Sequence, residues 1–245
     1  MSYENWQQWG KRPNEIESTL VDRASSCLPE MESTKQLVNL VSQEYKPGMQ
    51  VLDVGCNVGH YLRGLRRISS DLGYTGVDAY EQYINKAKEI FADDPYAHFD
   101  VKDIFKPLFS DKSFDIVFCC NVLLHLPDFR TPVQNLLSVT KKICFIRTLL
   151  SEKTTIVKTA KTQKFNELGD PLDYTYQNTW KKQYFLEHIK ELGWNVEFID
   201  DEFNPKTLQN EFHSVKEGQG TQIIDGKQVD GNVIFNWVWA KITPV

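Results

Sequence analysis

The sequence has no apolar run near the roughly 20 residues that a bilayer-spanning helix needs, which excludes a helical membrane anchor and leaves no membrane partner. It has no Cys-x-x-Cys pair, so a thiolate zinc site has no support. Its five cysteines, Cys27, Cys56, Cys119, Cys120 and Cys144, are odd in number, and most fall in predicted buried strands or their turns. That is unlike a disulfide framework. No dense carboxylate or histidine cluster suggests a catalytic metal, and none is expected. Basic charge is also short. The net charge of −5 disfavours an extended phosphate-tracking surface, and with it nucleic acid as a partner. The polar N-terminal stretch through Trp6 and Trp9 lacks the apolar core of a signal peptide, so a reducing cytoplasm is expected.

What is present is material for a sizeable core: 41% apolar and 25% charged residues in 245. The chain is organised around Gln50 to His60. Val51, Leu52 and Val54 form a short apolar run with Asp53 near its end, followed by Gly55, Gly59 and a helical pattern. This reads as a buried parallel strand, a tight turn and a crossover helix. Glycine has no Cβ to hold a ligand away from backbone. A second strand, Gly73 to Asp78, ends in an acid about one βαβ unit later, near the ~20-residue spacing at which a carboxylate reaches a ribose. A third strand begins at Ala97 and leads to Asp103 and Ile104; a fourth, Phe114 to Cys120, is followed by Asn121, Val122 and His125. Asn121 falls at a strand's carboxyl end, where open α/β sheets bind ligands.

The spacing Asp-x-Gly-x-x-x-Gly at Asp53 to Gly59 resembles motif I of the class I S-adenosylmethionine-dependent methyltransferases, and differs from the Gly-x-Gly-x-x-Gly of dinucleotide-binding folds. Asn57 stands where such families often carry glycine; asparagine tolerates the left-handed region better than most residues. Asp78, Asp103-Ile104 and the Phe114 to Leu126 stretch extend the resemblance in the same order over roughly half of the chain. It implies an α/β, Rossmann-like, seven-stranded and mostly parallel sheet with an antiparallel last strand and helices on both faces. It also implies S-adenosylmethionine as cofactor, held by Asp53, Gly55, Cys56, Asn57 and Gly59, with Asp78 and Ala79 at the ribose. Asp103 and Ile104 would hold the adenine, and Asn121 and Val122 would form the far wall.

The whole of 1–245 reads as one such domain. Residues 1–45 form an N-terminal flap and helix, Trp6 and Trp9 needing something to cover. Residues 151–179, after the fifth strand, and 201–232 read as substrate-side insertions. Val233 to Ile242 reads as one long closing strand, preceded by a hairpin turn at Asp225-Gly226. His125 is the candidate general base, because its unperturbed pKa suits proton removal near neutral pH. Tyr174, Tyr176, Asn178 and Arg147 are candidates for holding the acceptor, with His213 a weaker one. After the fourth strand stand Asn121-Val-Leu-Leu124, without the prolines of nucleobase and glutamine amino-methylases, and no proline adjoins Cys119 or Cys120 as cytosine carbon-5 methylation would want. The expected reaction is methylation of oxygen or nitrogen on a small polar molecule, a sugar or other metabolite. The alternatives are an RNA or protein methyltransferase, or a catalytically silent scaffold of the same fold.

Overall fold

The computed structural model describes residues 15–161, 163–202 and 222–245. Trp6, Trp9 and His213 lie outside the described residues, as does most of the 201–232 stretch. In chain order the elements are α1 (Glu15–Ala24), α2 (Glu32–Glu44), β1 (Gln50–Val54), α3 (His60–Leu65), β2 (Gly73–Asp78), α4 (Glu81–Ile90), β3 (Ala97–Val101) and β4 (Phe114–Cys120). A 3-10 turn (Leu123–His125), α5 (Arg130–Val139) and β5 (Thr140–Ser151) follow. The later part holds β6 (Lys158–Ala160), β7 (Tyr174–Tyr176), β8 (Trp180–Lys181), α6 (Lys182–Glu191), β9 (Trp194–Asp200), β10 (Gln222–Ile224), β11 (Lys227–Asp230), β12 (Val233–Ile234) and β13 (Trp237–Pro244).

The main sheet runs β3-β2-β1-β4-β5-β13-β9, with the short β8 paired to β5. β1 to β5 are parallel neighbours, and β13 is antiparallel to both β5 and β9. Strand side chains alternate between two cores because the side-chain period is two. Val117, Cys119, Cys144 and Ile146 pack with Val133 and Leu136 of α5 and Phe185 and Ile189 of α6. Ile116, Phe118, Ile143 and Phe145 pack on the other face with Leu37 of α2, Leu62 of α3 and Ile84 of α4. Each fully buried Leu, Ile or Phe contributes about 1.5–3 kcal/mol, so burial on both faces explains the near-continuous apolar character of β4 and β5.

The closing stretch differs from its reading as one strand. β12 pairs with β11 in a small three-stranded sheet, and β13 joins the main sheet. At the break the Asn236 side-chain amide donates to the Leu150 carbonyl at 3.1 Å, and the Phe235 N–H donates to Gln228 at 2.9 Å. A side-chain bond thus replaces a ladder bond while the chain changes sheets, which alternation alone cannot signal. The Asp225-Gly226 turn has φ of 49° and 75°, the pair that a two-residue hairpin demands. Within 151–179 the chain pairs β6 antiparallel to β7.

Candidate active site

Strand order reverses between β1 and β4, and in such sheets the crevice at the strands' carboxyl ends is where ligands bind. A cavity of about 230 Å³ opens there. Its floor is the turn after β1, in which Gly55, Asn57 and Gly59 all have positive φ: 81°, 51° and 77°. The Gly55 and Cys56 N–H groups both donate to the Val77 carbonyl, at 2.8 and 3.0 Å, tying the turn to β2. A Cβ on Gly55 would collide with Val122, so only glycine lets the two walls approach. Asn57 holds its left-handed conformation with its own side chain, whose Oδ1 accepts the Val58 N–H at 2.8 Å.

Asp78, ending β2, accepts the Asn57 N–H at 2.9 Å and the Tyr80 N–H at 3.1 Å. Burial pushes its carboxyl up to about 6 despite those bonds. The cavity wall is completed by Ala79, Tyr80, Tyr83, Lys102 and Ile104 on one side. Asn121, Val122, His125 and Leu126 form the other, with Leu20 of α1 and Met31 also lining the cavity. His60 and Tyr61 line it too, their rings 4.4 Å apart. Burial first, and the Arg23 charge second, hold His60 down to about 3, so its ring is neutral.

Asn121 has φ of 61°. Its side-chain oxygen accepts from Arg147 Nη1 at 2.6 Å, which leaves its amide N–H groups for the cavity. Arg147 in turn holds Asp201 through Nε and Nη2 at 2.6 and 2.8 Å, both side chains being 6% exposed, and lies 4.1 Å over the Trp237 ring. His125 Nδ1 lies 2.9 Å from the Tyr176 carbonyl. A carbonyl only accepts, so Nδ1 carries the hydrogen, and in the neutral ring Nε2 is the basic nitrogen.

Of the residues singled out in the sequence, Gly55, Asn57, Asp78, Ala79, Ile104, Asn121, Val122 and His125 come together around the cavity. Others do not line it. Asp53 is 1% exposed and accepts the Tyr74 hydroxyl at 2.7 Å. Burial, with a smaller contribution from the Asp78 charge, drives its carboxyl up to about 8 against the lowering effect of that bond. Cys56 is buried, and burial keeps its thiol well above the usual range, as it does for Cys119 and Cys120. Gly59 serves packing, since a Cβ there would stand 2.8 Å from the Phe99 ring. Asp103 caps its own loop by accepting the Phe105 N–H at 2.9 Å.

The residues expected to hold the acceptor make bonds within the fold. Arg147 is committed to Asp201 and Asn121. Asn178 is fully buried, accepting the Val157 N–H at 3.1 Å and donating to the Leu126 carbonyl at 2.9 Å, which clamps its segment to the wall of the cavity. Tyr174 and Tyr176 meet each other, hydroxyls 3.3 Å apart, and Tyr176 reaches the site through its carbonyl rather than its phenol. Burial and the Tyr174 neighbour raise the Tyr176 phenol above its ordinary value. Sequence reading passed over His60, Tyr61, Tyr80, Tyr83 and Lys102. Their signal was position, since His60 directly follows Gly59 and Tyr80 stands two residues after Asp78.

The profile of the methyltransferase domain family matches residues 45–213, more than half of the chain. The chain belongs to the methyltransferase family. It is 36% identical over 97 residues to 2-methyl-6-phytyl-1,4-hydroquinone methyltransferase of Synechocystis, a match covering 39% of this chain and 30% of that protein. It is 30% identical over 102 residues to phosphoethanolamine N-methyltransferase 3 of Arabidopsis thaliana, covering 40% of this chain and 20% of that one. The chain thus spans a third or less of the length of these curated relatives. Among solved structures, magnesium protoporphyrin IX methyltransferase of Synechocystis with bound S-adenosylhomocysteine superposes with a TM-score of 0.55 at 16% identity, over 87% of this chain and 83% of that one. That same Synechocystis methyltransferase is also known with S-adenosylmethionine bound, and superposes with a TM-score of 0.55 at 14% identity. Among the described residues no helix is long and apolar enough to cross a membrane.

Proposed function

We propose that this methyltransferase acts on an oxygen or nitrogen of a small polar molecule, a sugar or other polar metabolite, with His125 as the general base. The observation that carries this reading is the Nδ1 contact of His125 with the Tyr176 carbonyl at the cavity wall, which sets the tautomer with a basic Nε2. The residues around the cavity fit S-adenosylmethionine. Asp78 is a half-buried carboxylate suited to a pair of ribose hydroxyls, Ile104 and Ala79 offer an apolar slot for adenine, and the Gly55 to Asn57 backbone can lie close to the methionine end. When bound, the cofactor supplies a methyl group already activated by its sulfonium charge. What remains for the protein is to place the acceptor, exclude water and take a proton. Leu20, Met31, Tyr80 and Tyr83 provide the apolar walls, and His125 the proton acceptor. A reducing cytoplasmic setting accords with five unpaired thiols.

The relatives named above have acceptors as different as a hydroquinone and phosphoethanolamine, so the choice of acceptor rests on this chain's own polar and aromatic surroundings. The test is mass spectrometry of a polar metabolite extract incubated with enzyme and S-adenosylmethionine, comparing wild type with His125→Asn. Asparagine keeps a donor for the Tyr176 carbonyl but has no Nε2. The expected result is a product one methylene heavier, formed roughly 10²–10⁴-fold more slowly by the variant, with cofactor binding retained. Labelling confined to RNA or protein fractions would overturn the small-molecule acceptor. Full activity of the variant would remove His125 as base.

A further inference from the structure

A second cavity, of about 610 Å³, lies between the end of β5 and the β10–β12 sheet and shares no lining residue with the first. Leu124, Leu149 and Val233 pack together near the boundary of the two. The methyl-transfer reading makes no use of this space. Its lining is chemically unlike the first cavity. Thr155, Thr179, Gln228 and Asn236 supply neutral polar groups, and Phe235 and Trp237 supply two rings 5.4 Å apart.

The hydrogen bonds already made constrain what those groups can still do. Gln228 Oε1 accepts the Trp237 indole N–H at 2.8 Å, which leaves the Gln228 amide as a donor. Asn236 spends an amide N–H on the Leu150 carbonyl, which leaves its own carbonyl as an acceptor. Threonine hydroxyls do both. The buried anion here, Asp201, is neutralised by Arg147, while Lys227 is exposed at the edge. A neutral ligand that donates and accepts at neighbouring positions and offers an apolar face to an aromatic ring meets all of these demands.

We propose that this cavity is a binding site for a neutral saccharide, separate from the methyl-transfer cavity and adjoining it through Arg147, which holds Asn121 of one cavity and Asp201 of the other. The site binds the sugar without methylating it, so its test needs no turnover and stands whichever acceptor the first cavity takes. Saturation-transfer NMR would be run on the full chain with methyl glycosides of glucose, galactose, mannose and N-acetylglucosamine, with glucuronate and inorganic phosphate as charged probes. Gln228→Leu and Thr179→Val remove one polar group each, and circular dichroism and S-adenosylhomocysteine titration report whether either variant has lost its fold or its first cavity. The expected result is binding of at least one neutral glycoside, weakened about five- to tenfold by either variant with S-adenosylhomocysteine affinity unchanged. Absence of glycoside binding, binding indifferent to both variants, or tighter binding of glucuronate or phosphate would each overturn the assignment.

Discussion

Arg147 offers the sharpest test of how the cavity wall is held. Its guanidinium makes two bonds to Asp201 and one to Asn121, with both charged side chains 6% exposed. Removing one partner strands the other as a buried charge, which costs about 3–5 kcal/mol. Arg147→Met should cost that much, and Asp201→Asn nearly as much. In the double variant neither charge is stranded. What is lost is the Asn121 bond, about 1.5–3 kcal/mol, and the stacking on Trp237, about 0.5–2 kcal/mol. The double variant should therefore cost about 2–5 kcal/mol, not the 6–10 kcal/mol of the summed singles, giving a coupling energy of several kcal/mol between the two positions. Urea denaturation of the four proteins, followed by tryptophan fluorescence and circular dichroism, measures it. Additivity within about 0.5 kcal/mol would refute the account of Arg147 and Asp201 as a mutually neutralising buried pair.

Three further outcomes follow from the same geometry. Gly55→Ala places a Cβ against Val122 at a φ of 81°, and should destabilise by about 1–3 kcal/mol and abolish cofactor binding; Val122→Ala in that background should recover part of the stability in thermal denaturation. Asp53 is held at about 8 in the fold against 3.8 for the free group, so unfolding releases its proton between those values and the wild type loses stability as pH rises through that window. Asp53→Asn should remove this slope, and urea midpoints at pH 5 and pH 8 would show whether it does. Asp78 is raised to about 6, so S-adenosylhomocysteine affinity, measured by calorimetry, should weaken as pH falls through about 6. Asp78→Asn should flatten that dependence and bind roughly 10–100-fold more weakly at pH 8.

Much of this molecule follows from local chemistry and was readable in the chain itself. The apolar runs at Val51, Ile116 and Ile143 could be satisfied only by strands buried on both faces. Asn57 between Gly55 and Gly59 marked a turn with left-handed residues, and Asp78 marked the end of the next strand. Each of these features is written in a few consecutive residues of its own, so local spacing alone carries it. The break at Asn236, the Asp53–Tyr74 bond and the burial of Arg147 and Asn178 belong to another class. Each depends on a partner 21 to 86 residues away in the chain. A polar residue bound for a buried network and one bound for a ligand look the same in sequence, because both are polar residues near strand ends. The tertiary structure separated them by deciding which of their donors and acceptors were already taken.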